Sequence, residues 1–337
     1  MSRVGLILDA EKISDIVDLS EKAESAGFDS IWTTELYRTS FEQLSVAAHS
    51  TDKINLGTAV ALAFVRSPLI TSLTALDLDE ISNGRMILGL GSGAMRTNEN
   101  FHGIKYGKPV GRIRECIELI RLITGSFNKK EPLIYEGEYY GINLRGYHRP
   151  FKPIREKIPI YLAGIGEYMT QAAAELADGY LGHVVCSLKY LREVLSQSIK
   201  SGLEKSKRDL KSFQRASIIC CAVSKNKKDA MRAARGTIAF YATVRTYQSP
   251  FLLHGFEKET QRIREAYFKG DVESMLSHVT DEMVNAFSVF GDADECRKRI
   301  DEYRNYIDLP ILSAPHYFLD FQEVRQLQEN IFEAFGE

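Results

Sequence analysis

The chain has 337 residues, 44% of them hydrophobic, and a formal net charge of −2, which is enough apolar material for a large core. Its 43 basic and 45 acidic residues are interspersed rather than blocked, which argues against nucleic acid or an anionic membrane as a partner. The first apolar run stops at Asp9, no later run approaches a bilayer span, and five scattered cysteines without a CxxC pair fit reduced thiols, so a cytoplasmic protein is expected.

Taken in order, the chain alternates short apolar runs with helical spacing. Residues 4–8 form the first run, and residues 13–26 a helix stopped by Gly27. Residues 28–33 are the second strand and 41–49 a helix. Residues 54–60 are the third strand, and a helix opened by Arg66-Ser67-Pro68 runs to Ile81. The fourth strand is 86–91. From 92 to 109 the periodicity gives way to a polar connection with Arg96, Asn98, Glu99, His102 and Tyr106, and connections of that length are more often functional than idle. A helix at 112–123 and a small β excursion at 133–145 follow. Residues 159–163 are the fifth strand, Gly164-Ile165-Gly166 a tight turn, and 167–177 an Ala-rich helix that Asp178-Gly179 ends, with the Gly as C-cap. Residues 180–183 begin the sixth strand, 188–203 and 229–241 are helices, and 216–223 is the seventh strand. A mixed insertion spans 245–283, a helix 294–306, the eighth strand 310–314 and the last helix 321–335.

Eight strands alternating with helices are the arithmetic of an α/β protein, a (β/α)8 TIM barrel. It reads as one domain over 1–337, with insertions after strands three, four and seven. The rival is an open dinucleotide-binding sheet, because Gly89-Leu90-Gly91-Ser92-Gly93-Ala94 imitates the GxGxxA fingerprint. That fingerprint requires a helix starting at Ala94, whereas 95–107 reads as a loop.

A barrel works at the C-terminal ends of its strands. The candidates are therefore Asp9, Glu35, Ala59, Val60, Ser92, Gly93, Gly164, Ile165, Gly166, Glu167, Tyr168 and His183. The turn at 164–166 and the helix behind it aim free N–H groups and a dipole at one spot, a place for a phosphate, or else form an ordinary βα turn. Asp9 and Glu35 serve as acid–base groups or polar anchors, or cap the helices that follow. His183 donates to a phosphate or is a satisfied structural residue. Arg66 and Arg96 pair with an anionic ligand or with surface acids. No HExxH or CxxC motif supports a metal, and no GxSxG elbow supports a serine nucleophile.

Three stretches carry a resemblance that covers essentially the whole chain: AESAGFDSIWTTE (23–35), INLGTAVALAFVRSPLITSLTALDLDEISNGRMILGLGSG (54–93) and IPIYLAGIGEYMTQAAAELADGYLGH (158–183). The sequence resembles the bacterial luciferase-like superfamily of flavin- and deazaflavin-dependent oxidoreductases, and within it the members that use coenzyme F420. The resemblance implies a cofactor ring at the strand C-terminal ends, backed by a non-prolyl cis peptide matching Ala59-Val60, and a cofactor phosphate at 164–168. It also implies a homodimer packed through the helices after strands two and three, and a small-molecule substrate. Hydride transfer between the deazaflavin and that substrate follows, with 94–108 and 245–283 covering the site. Departures are visible. An Asp-His pair of several relatives is Glu35-Leu36 here, and a relative's Glu after strand four is Ala94. The strand-one Glu of the methylene-tetrahydromethanopterin reductases is apolar here, with Asp9 nearby, and phosphate-binding lysines are not matched near Cys186. The alternatives are an FMN-dependent monooxygenase that activates oxygen, and a non-catalytic flavin-binding barrel.

Overall fold

A computed structural model describes residues 3–127, 132–147 and 149–336. Eight parallel strands close on themselves: β1 (Gly5–Ile7), β2 (Ser30–Thr33), β3 (Asn55–Thr58), β4 (Met86–Gly91), β5 (Ile160–Ala163), β6 (Gly179–Gly182), β7 (Gln214–Val223) and β8 (Leu309–Ser313). Each pairs with the next, and β8 returns to β1 through Gly5 opposite Ile311. This is the (β/α)8 barrel that the alternation predicts.

Strand alternation sorts the side chains. Leu6, Ile31, Leu56, Met86 and Leu88 join the outer core beneath the helices, while Ile7, Trp32, Ile87, Tyr161, Leu181, Ala216 and Ile311 fill the barrel. Trp32 dominates the interior. A Cβ on Gly57 would lie 2.1 Å from its ring, and one on Gly5 would lie 3.0 Å from Nε1. Two glycine-bearing strands therefore make room for one indole, whose N–H donates to Ser30 Oγ at 2.9 Å.

Local chemistry sets the helix ends. Ser67 accepts from the Ile70 N–H, with Pro68 as the first helical residue of Pro68–Ile81. Asp292 and Glu295 form a reciprocal capping box on Ala293–Tyr303. Asp320 caps Phe321–Phe335.

Several expectations are corrected. Gly179 is not a helix cap but the first residue of β6, where a Cβ would meet the Tyr161 ring at 2.8 Å. Residues 95–101 are not loop but a short helical stretch, including the π-turn Thr97–Phe101. The helix start therefore does not reject the dinucleotide fold; the closed barrel does. The insertion after β7 contains Gln248–Leu253, Glu257–Phe268, Val272–Ser277 and Asp281–Phe287, then an unpredicted parallel strand, Ser288–Gly291. That strand pairs with Cys220 to Val223, the half of β7 that runs past the barrel. The excursion at 133–145 is the hairpin Ile134–Glu136 with Gly141–Asn143, anchored by Glu115, which accepts from the Tyr139 and Tyr140 N–H groups. All five cysteines are buried and unpaired by disulfides. Among the described residues, no helix is long and apolar enough to cross a membrane.

Candidate active site

The C-terminal mouth of the barrel has two unlike halves. Over β3 to β5 it is built from close backbone packing. The chain leaves β3 at Thr58, passes the cis Ala59-Val60 peptide that the resemblance implies, and returns as the short strand Ala61–Leu62 beside Leu90 and Gly91. Thr58 Oγ1 donates to the Gly89 carbonyl at 2.7 Å. A Cβ on Gly89 would sit 1.8 Å from Thr58 O, and one on Gly91 would sit 2.5 Å from Val60 Cγ2. These glycines exist to let the bulge press against β4, which explains the false dinucleotide fingerprint. Val60, Ala163 and Ile218 are half-buried and cover the barrel's inner cluster, forming an apolar floor.

The rim of this half is polar. Tyr106 donates its hydroxyl towards Ser92 Oγ (3.1 Å) and Gly93 O (2.9 Å), and the buried Asn98 amide donates to Ser92 O (2.9 Å) and Ala94 O (3.0 Å). Connection 94–108 thus folds back over the candidates Ser92 and Gly93. Farther round, Tyr180 Oη donates to Gly164 O at 2.6 Å and Tyr190 Oη to Ile165 O at 2.9 Å, fixing the turn. A Cβ on Gly164 would crowd Met169 at 2.9 Å, whereas one on Gly166 would meet open space. The helix Glu167–Leu176 makes its first internal bond from the Thr170 N–H to Gly166 O. The N–H groups of Glu167, Tyr168 and Met169 therefore have no acceptor within the helix, and Glu167 and Tyr168 are exposed.

His183, just past β6, is packed between Tyr247 and Tyr241, at 4.4 and 4.6 Å between ring centroids. Burial pushes its imidazole down to about 3, so it is neutral at pH 7 and brings no positive charge to the rim. Tyr247 comes from the insertion, and Ser187 and Lys189 bond its His254 and Leu253 (2.8 and 2.7 Å), so the insertion does reach the mouth.

Glu35 is held by the protein itself. Its Oε2 accepts from the Leu62 N–H (2.7 Å) and Arg66 Nη1 (2.8 Å), and its Oε1 from Arg66 Nη2. The carboxylate ties the end of β2 to the chain emerging from the bulge, and Arg66 has Glu35 as its partner.

The other half lies over β1, β2 and β8. A cavity of about 640 Å³ opens there, walled by Leu36, Tyr37, Phe240, Tyr317 and Phe318. Asp9 lines it opposite His316, with Oδ2 and Nδ1 4.0 Å apart. Burial raises the Asp9 carboxyl above its ordinary range, and the charge of His316 opposes that rise. None of Val60, Ser92, His183 or residues 164–168 lines this cavity. His316 escaped the sequence reading. The rule that selected Asp9 and His183, position just past a strand end, also selects His316, three residues beyond β8.

Eight parallel strands with functional groups gathered at their C-terminal ends define a barrel of the enzyme-bearing kind. The family model for luciferase-like monooxygenases matches residues 1–308, and the chain belongs to that family, an oxidoreductase class. It is 34% identical over 289 residues to a 5,10-methylenetetrahydromethanopterin reductase of Archaeoglobus fulgidus, covering 83% of each chain. Its fold is similar to the coenzyme F420 dependent tetrahydromethanopterin reductase of Methanopyrus kandleri, with a TM-score of 0.81, 25% identity and 99% of each chain covered. It is also similar to an F420-dependent secondary alcohol dehydrogenase, with a TM-score of 0.77, 18% identity, and 100% and 99% coverage.

Proposed function

We propose that the chain is an F420-dependent oxidoreductase that moves a hydride between the deazaflavin and a small organic substrate. The observation that carries this is the juxtaposition at the mouth of an apolar floor, made by Val60 after β3, Ala163 of β5 and Ile218 of β7, and a helix N-terminus with free donors after β5. A ring fits the floor formed by Val60, Ala163 and Ile218. A Cβ at Gly91 would displace Val60, so the glycine preserves that surface. An anionic tail fits Gly164, Ile165, Gly166, Glu167 and Tyr168, where backbone N–H groups replace cations. The relatives support the choice of cofactor, since the Methanopyrus kandleri structure is F420 dependent.

When bound, the deazaflavin supplies hydride donor or acceptor chemistry at its C5. The protein's part is position and electrostatics. Ala59 and Val60 support the ring face. Ser92 and Gly93, fixed by Tyr106 and Asn98, bound its edge. Neutral His183 keeps that wall uncharged beside Tyr241 and Tyr247. Glu35, with both oxygens occupied, acts in this reading as the brace that fixes the bulge rather than as a proton donor. The homodimer belongs to the same reading, through the helices Ser40–Ser50 and Pro68–Ile81, the latter exposing Ile70 and Ile81; a monomeric mass by light scattering contradicts it.

The test is to titrate the apoprotein with F420 and with FMN, following quenching of Trp32, which is buried directly beneath the mouth. Saturable binding of F420 is expected. Tight binding of FMN and none of F420 overturns the proposal in favour of the second reading, an FMN-dependent monooxygenase, which the family description favours.

A further inference from the structure

The cavity over β1, β2 and β8 contains an arrangement that the cofactor half does not explain. Among the described residues, Asp9 Oδ2 and His316 Nδ1 are both enclosed and have no hydrogen-bond partner. They face each other at 4.0 Å, just beyond hydrogen-bonding range. Enclosed polar atoms without partners are costly, and here each is the other's nearest available remedy. A small side-chain adjustment closes the gap to a bond from His316 Nδ1–H to the carboxylate. That bond selects the tautomer whose unprotonated Nε2 lies on the ring edge away from Asp9. Nε2 is not among the enclosed atoms, no described residue bonds it, and the ring lines the cavity.

The surroundings favour one role. Arg38, the cation of this cavity wall, donates to the Glu11 backbone carbonyl. Glu11, Tyr37, Tyr267 and Tyr317 are the other titratable groups lining the space, and Asp15, Asp18 and Arg325 flank Asp9 on its outer side. Phe240 stacks on Tyr317 with ring centroids 3.9 Å apart, and Leu36, Tyr37 and Phe318 are exposed at the rim of the space. The result is a chamber with a larger apolar than polar lining, in which Arg38, Glu11, Thr34 and Gln43 join the wall and Asp9 and His316 are the enclosed pair without partners. Such a chamber takes an apolar body with an oxygen function directed at that pair.

We propose that His316 is the catalytic acid–base of this oxidoreductase, with Asp9 as its positioning residue, and that the substrate is an alcohol with an apolar body or the matching carbonyl compound. The proposal rests on the hydride-transfer reading. In the oxidative direction a substrate reaching from this cavity to a ring laid across the mouth would lose its C–H bond, the electron pair leaving as hydride to the oxidised deazaflavin. The O–H proton passes to His316 Nε2, and the carbon–oxygen double bond forms. In the reverse direction the imidazolium returns that proton to the carbonyl oxygen. Asp9 fixes the ring and stabilises the imidazolium.

The test uses the full chain labelled with ¹⁵N-histidine, with and without F420, and benzyl alcohol and cyclohexanol as probes. The His316 resonances are assigned by their loss in His316→Gln. The expected result at pH 8 is an Nδ1-protonated ring whose Nε2 resonance moves on adding either alcohol, and an Asp9→Asn variant that loses the tautomer preference. An Nε2-protonated ring in the parent protein, or an Nε2 resonance that neither alcohol moves, overturns the proposal. With F420 bound, His316→Ala is expected to lower alcohol turnover 10²- to 10⁴-fold, with partial rescue by added imidazole and unchanged F420 affinity. A variant that turns over at the parent rate overturns the proposal. Failure of the parent protein to bind F420 sinks the cofactor reading instead, and leaves the histidine result to be judged by the spectra.

Discussion

The two halves of the barrel mouth are built by opposite means. Over β3 to β5 the backbone does the shaping: Gly89 and Gly91 admit the bulge, and Gly164 admits Met169. Over β1, β2 and β8 side chains do it, with Tyr317 on Phe240 and Asp9 facing His316 across a cavity of about 640 Å³. The first half leaves no room for an added atom at Gly89 or Gly91. The second is roomy and can be re-lined.

Substitutions can break that contrast. The largest effect is expected for Gly89→Ala, whose methyl group would meet the Thr58 carbonyl. A loss of about 3 kcal/mol or more is expected, read as a lower urea midpoint. An unchanged midpoint would show that the bulge can yield. Glu35→Gln leaves the Arg66 guanidinium with a weaker partner and should cost about 2 kcal/mol, measured the same way, and should also weaken F420 binding, because the chain after the bulge loses its brace.

His183 gives a pH test. Its folded value is depressed to about 3 by burial, against about 6.5 in the unfolded chain. The neutral form is favoured by folding, so its contribution is fully present above about pH 6.5 and is lost as pH falls towards 3. His183→Gln should therefore flatten the acid side of the pH–stability curve by a few kcal/mol across that window, as seen in denaturation at pH 7 and pH 4. A parallel loss in parent and variant would mean that the imidazole is already charged. The smallest effect is expected for Gly166→Ala, where a Cβ meets open space: stability within about 0.5 kcal/mol of the parent. Under the proposed function, its effect on F420 affinity then reports on the turn proposed to hold the anionic tail.

Much of this was legible in the sequence because it is written in local periodicity. The alternation of runs gave the eight strands, and Ser67-Pro68 marked a helix start that the structure retains. The turn at 164–166 and the helix behind it were readable as a cluster of free backbone donors, since these follow from helix geometry. What failed to show were pairings between distant residues. Ser288–Gly291 is four residues long and becomes a strand only because β7 overshoots the barrel. The short helix at 95–101 has no apolar periodicity, its Met95 and Phe101 both being exposed, and Asn98 and Tyr106 secure it by bonds to Ser92, Gly93 and Ala94. Gly89 and Gly91 were visible as glycines, but their purpose was not, because the atoms they avoid belong to another strand.

The sequence alone thus determined the alternation of strands and helices and the turn where backbone donors gather, since each depends on contacts within a few residues, whereas the closure of β8 onto β1 joins residues some three hundred positions apart. Tertiary structure decided which charges are occupied and which are available. Glu35 turns to Arg66, His183 is held neutral among tyrosines, and Asp9 meets His316 from the far end of the chain. Burial and partner set the chemistry of an ionisable group, and neither is a property of its neighbours in sequence.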